Sequence, residues 1–116
     1  MIIRDNIISK ITIYRLDVPL IKPYKLSYNT FYSFEPLLVH IVDDKGNEGW
    51  GEQHISPGSS SETREFGWNF IYNLAEKIIN KNIKMSKKIV LKNAKKSPVA
   101  STCIYTAIEM LEDNKI

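Results

Sequence analysis

Cysteine is nearly absent from this chain: Cys103 stands alone among 116 residues. That leaves no internal disulfide and no multi-cysteine metal cluster, a usage that suits a reducing compartment. No stretch approaches the roughly 18 consecutive apolar residues of a membrane span. Asp5 and Asn6 interrupt the start, where a secretory signal needs an unbroken apolar run. The expectation is a cytoplasmic protein without membrane contact. Arginine is scarce, three against thirteen lysines, and the net charge of +3 is too mild to imply a nucleic-acid partner. There is no phosphate-binding loop, no Lys-x-Lys pair and no helix with acid/base residues at metal-ligand spacing. Chemistry by this chain alone is therefore not expected, nor is a metal or cofactor bound within it. It is also too short for two ordinary domains or for a complete (β/α)₈ barrel of about 250 residues.

What is present reads as one domain, 1–116, with 43% hydrophobic and 25% charged residues, close to the average for a soluble domain. Residues 10–18 are β-rich, but their alternation slips. Ile11 and Ile13 share one parity; Tyr14, Leu16 and Val18 share the other. Such a slip means a bulge or a strand with two covered faces. Segment 22–34, with Pro23, Asn29 and aromatics that include Tyr24, Tyr28, Phe31 and Tyr32, reads as an irregular loop. A second strand, 37–42, is followed by the turn signal Asp43-Asp44-Lys45-Gly46-Asn47 and a returning strand, 48–52. The loop 54–60 precedes a switch to helical period. Ser59 and Glu62 suggest a capping box, and Phe66, Phe70, Leu74 and Ile78 form an apolar stripe. A shorter helix spans about 85–95. The last helix opens with Ser97 as cap and Pro98 at its first position, and carries Ala100, Cys103, Ile104, Ala107 and Leu111 on one face. The fold class is α+β: a three-stranded antiparallel β-meander followed by a helical bundle.

Few residues invite chemistry. In Gly49-Trp50-Gly51-Glu52-Gln53-His54 the third glycine of a dinucleotide fingerprint is replaced by His54 and no helix opens, so the glycines indicate close backbone approach or a bulge. His40 reads as a satisfied structural histidine and Cys103 as a core residue. His54, opening a loop, is a better contact residue, but one histidine without carboxylates is no metal site. Eight lysines and no acid lie between Lys77 and Lys96. Those at 77, 81, 84, 88, 92 and 95 read as a solvated face, with an anionic partner as the alternative.

In order along the chain, these pieces resemble the N-terminal capping domain of the enolase superfamily, in its mandelate racemase/muconate lactonizing branch. The resemblance runs from Val18-Pro19-Leu20 and the aromatic loop through the Asp43–Gly46 turn and Gly49-Trp50-Gly51-Glu52. It continues with Pro57-Gly58, Glu62-Thr63, Ser97-Pro98-Val99-Ala100 and Ala107-Ile108-Glu109. It implies a meander plus helices seated over the mouth of a modified barrel that carries the catalytic lysines and the acidic Mg²⁺ ligands. Two loops of the cap would close on the substrate. By family position they place Tyr24, Tyr28, Phe31, Tyr32, His54 and Ser56 at the substrate. The implied function is a specificity cap of a Mg²⁺-dependent isomerase, racemase or lyase that abstracts a proton beside a carboxylate, inactive without its barrel. The alternative is a free-standing α+β interaction module using its lysine-rich helix on an anionic partner. A barrel, as domain or partner chain, is the implied neighbour. With that neighbour removed, loop aromatics and Trp50 are expected to drive a symmetric dimer burying about 1,000 Å² or more.

Overall fold

The structure is a computed structural model describing residues 6–16, 18–25, 30–34, 36–53 and 64–114. For 18–25, 30–34, 64 and 114 only the backbone is described. Five strands precede three helices: β1 (Ile8–Arg15), β2 (Val18–Lys25), β3 (Thr30–Phe34), β4 (Leu37–Asp43), β5 (Glu48–Gln53), α1 (Arg64–Ile78), α2 (Ile83–Asn93) and α3 (Pro98–Asn114), with a 3₁₀ turn (Ala94–Lys96) before α3. Strands β1, β4 and β5 form one antiparallel sheet in that order, the expected meander. Between β1 and β4 the chain makes a second sheet, the antiparallel pair β2–β3. This corrects the reading of 22–34 as an irregular loop. Within this pair Pro19 stands opposite Ser33, and the register shifts between Pro19 and Tyr24.

Alternation along the sheet decides its two faces. Leu37, Val39, Ile41 and Asp43 are buried, and Leu38, His40 and Val42 between them are half-buried. The change of parity between Ile13 and Tyr14 is not a bulge: the ladder runs regularly from Lys10 to Arg15, and its register shift lies earlier, between Ile8 and Lys10. Ile11 and Ile13 pack against the core, and Tyr14 falls on the other face with His40 and Trp50.

Helices α3 and α1 pack on the inner face, and α2 packs against both of them. Helix α3 carries Ala100, Cys103, Ile104, Ala107, Ile108 and Leu111, each at 0% exposure, onto β4 and β5. Gly49 and Gly51 make this possible. A Cβ on Gly51 would lie 1.8 Å from the Cys103 carbonyl oxygen, and one on Gly49 2.0 Å from that of Ala107. The two glycines of the Gly-Trp-Gly motif are the seat of α3. Helix α2 starts two residues earlier than expected, because Asn82 caps it by accepting from the Met85 N–H at 2.7 Å. In α1 the buried residues are Gly67, Ile71, Leu74 and Ile78, whereas Phe66 is 49% exposed and stacks on Phe70. The buried stripe is thus rotated toward Gly67 and Ile71. The proposed Ser59–Glu62 box lies outside the described residues.

Candidate functional site

The sheet has two unlike ends. At one, β4 turns into β5 through 43–48, and Asp43 organises the turn. Its Oδ1 accepts from the backbone N–H of Lys45 (2.9 Å) and Asn47 (2.8 Å). Its Oδ2 accepts from the side-chain amides of Asn6 (2.6 Å) and Asn47 (2.9 Å). Burial raises the pKa of this carboxyl, but the bonds from Asn47, Asn6 and Lys45 outweigh it and hold it below its ordinary value. Gly46 supplies the positive φ of the turn, +83°. This end is a structural lock.

The opposite end is where connections cluster. Arg15, Leu37 and Gln53 share the last row of the ladder. From that row β1 runs out toward the β2–β3 pair, β4 enters from it, and β5 runs out into 54–63. Both segments that carry the sequence-derived site residues therefore leave the sheet at the same end. Tyr24 and Phe31 stand opposite each other in the β2–β3 ladder, and Tyr32 follows in β3. Tyr28, His54 and Ser56 lie outside the described residues.

Arg15, which sequence reasoning passed over, ties this end together. Its two guanidinium nitrogens donate to both carboxylate oxygens of Glu65, one at 3.1 Å, and its charge lies 5.6 Å from the centre of the Trp68 ring. The base of β2–β3 is thereby joined to the start of α1, where 54–63 re-enters the fold. The available signal was its identity: an arginine in a lysine-rich chain supplies the planar fork that pairs with a carboxylate.

His40 is satisfied as expected. It bonds Glu48 at 2.8 Å and stacks on Trp50 with ring centres 4.1 Å apart. Cys103 is core: burial, then the nearby Glu52 charge, push its thiol up to about 12. Lysines 77, 81, 84, 88, 92 and 95 are exposed, whereas Lys87 turns inward to Glu112 at 2.7 Å and is raised by that bond. Among the described residues no three His, Cys, Asp or Glu side chains form a group that fits a metal ion. No described helix is long and apolar enough to cross a membrane.

No family model matches the chain. Over 38 residues, a third of the chain, it is 47% identical to the L-Ala-D/L-Glu epimerase of Bacillus subtilis, and over 58 residues, 48% of the chain, 41% identical to the o-succinylbenzoate synthase of the same organism. Those segments are 10% and 16% of the two enzymes. The muconate lactonizing enzyme of Pseudomonas fluorescens superposes over 90% of the chain with a TM-score of 0.79 at 22% identity. A dipeptide epimerase from Enterococcus faecalis, solved with Mg and the dipeptide L-Leu-L-Tyr, superposes over 87% with a TM-score of 0.76 at 21% identity. The chain spans 30% and 29% of those two structures. A three-stranded sheet backed by three helices, with a strand pair inserted after β1, is thus shared with enzymes three times longer. The chain has the fold of the N-terminal domain of the enolase superfamily, in its mandelate racemase/muconate lactonizing branch.

Proposed function

We propose that residues 1–116 are the substrate-specificity cap of a Mg²⁺-dependent isomerase, racemase or lyase. The enzyme acts on carboxylate substrates by abstracting the proton beside the carboxylate, and the cap is inactive alone. One observation carries this reading: the strand pair β2–β3 and the segment 54–63 both leave the sheet at the row Arg15–Leu37–Gln53. Two segments rooted at one end can close together on one ligand, and the Arg15–Glu65 pair fixes the distance between their bases. Tyr24, Tyr28, Phe31, Tyr32, His54 and Ser56 are the residues that would contact substrate. Their part is to shape the pocket and exclude water rather than to move the proton. In this reading the metal chemistry and the acid/base groups belong to a barrel domain or partner chain.

The test joins this chain to a barrel. Replacing the N-terminal domain of the Bacillus subtilis epimerase with 1–116 and following deuterium uptake beside the carboxylate of dipeptides is expected to give exchange. The isolated chain with Mg²⁺ is expected to give none. Exchange by the isolated chain, surviving purification to homogeneity, or a folded chimera without exchange on any dipeptide, would overturn the reading.

A further inference from the structure

We propose that the outer face of the β1–β4–β5 sheet is a self-association surface, on which a second copy of this chain docks about a two-fold axis along β4. The proposal stands apart from the capping reading. Helices α3 and α1 lie on the inner face, and the outer one presents Tyr14 at 39% and Trp50 at 40% exposure. The indole of Trp50 stacks on His40 at 4.1 Å and on Tyr14 at 6.1 Å, both at 19°. An aromatic patch on an open sheet suits face-to-face packing of two sheets.

Charge selects the partner and its orientation. The ladder sets three rows across the outer face: Lys10–Val42–Glu48, Thr12–His40–Trp50 and Tyr14–Leu38–Glu52. A two-fold axis along β4 lays β1 of one copy over β5 of the other without changing rows. Each Lys10 then meets a Glu48, and each Tyr14 hydroxyl can donate to a Glu52 carboxylate, twice per dimer. The other in-plane axis, across the strands, lays β5 on β5 with rows reversed and sets Glu48 against Glu52, also twice. Opposed like charges disfavour that arrangement. The face is self-complementary about one axis only, which is what a closed symmetric dimer requires. Three strands about 4.8 Å apart and three rows about 7 Å apart give a footprint of roughly 300 Å² per copy, the size of a transient contact. The dimer is accordingly weak and salt-sensitive.

Sedimentation equilibrium at low salt, from about ten micromolar to about one millimolar, tests it with the parent chain, Lys10→Glu and Glu48→Lys. The parent's mass is expected to rise above 13.4 kDa with concentration. Each variant alone sets like charges opposite each other, so its association should weaken by about tenfold. An equimolar mixture of the two variants should associate again, because both cross-pairs are then of opposite sign. Amide shifts on dilution of the parent, which need no variant, should concentrate at Lys10, Tyr14, His40, Glu48, Trp50 and Glu52. A constant 13.4 kDa, a mixture no better than its components, or dilution shifts centred elsewhere would overturn the proposal.

Discussion

Replacing Gly51 by alanine puts one methyl group where α3 now meets the sheet. The added carbon would lie 1.8 Å from the Cys103 carbonyl oxygen and 2.9 Å from its carbonyl carbon. An ordinary C···O contact is about 3.3 Å, so α3 would have to retreat by about 1.5 Å. Both atoms it meets are backbone, and no side chain can swing away. A gap of that size removes much of the dispersion contact between α3 and β4–β5, where Val39, Ile41, Ile104 and Ala107 are all at 0% exposure. The expected cost is about 3–4 kcal/mol, above the usual range for overpacking because backbone must move, out of a total stability of roughly 5–15 kcal/mol. With about 4 °C per kcal/mol for a domain of this size, the melting midpoint should fall by about 12–16 °C. Gly46→Ala is the control: its φ is +83°, but nothing lies within 4 Å of the added carbon, so only about 1–2 kcal/mol of backbone strain is expected. Thermal melts followed by far-ultraviolet circular dichroism read both. A Gly51→Ala midpoint within a few degrees of the parent, or above that of Gly46→Ala, would refute the seating of α3 on the glycines.

Asp43→Asn should destabilise the fold by about 2 kcal/mol at neutral pH in urea unfolding, since the new amide nitrogen confronts donors from Asn6 and Asn47. Because the folded pKa of Asp43 is depressed, its contribution is complete above the unfolded pKa. It is lost as pH falls through the folded value, so the gap between parent and variant should close in acid; a gap constant down to that range would contradict this. Cys103, with its thiol near 12, should react with aromatic disulfides at pH 8 only as fast as the domain unfolds, and labelling within the mixing time would show otherwise. Ser101→Ala should be neutral or stabilising by up to about 1 kcal/mol, because the buried hydroxyl has no hydrogen-bond partner among the described residues; a loss above that would reveal a partner.

The sequence was most legible where one physical rule acts alone. A short apolar run at 37–42 and the Asp-rich turn gave β4, its turn and β5. Proline at the first position and a regular apolar face gave α3, whose five named residues are all buried. It was misleading where two rules compete. In α1 the Phe66–Phe70 repeat is the stronger hydrophobic signal, yet close packing favours Gly67 and Ile71. In 22–34, Pro23 and the polar residues mimic a loop, although β2 and β3 need few consecutive ladder bonds to pair. Of the candidate site, segment identity was readable but its anchoring was not. The Arg15–Glu65 pair joins residues fifty positions apart, and only the register of β1 on β4 brings Arg15 to the end where both segments begin.

The most direct measurement exchanges only those segments. Residues 17–36 and 54–63 would replace their counterparts in the Bacillus subtilis epimerase, and kcat/KM would be measured across a panel of dipeptides with the pH dependence of kcat alongside. If the segments select substrate while the proton chemistry lies elsewhere, preference between the best and worst dipeptides should shift by at least about tenfold, or ~1.4 kcal/mol of differential transition-state binding. The pH profile should stay in place. An unchanged order of preference in an active, folded chimera, or a displaced pH profile, would contradict the account.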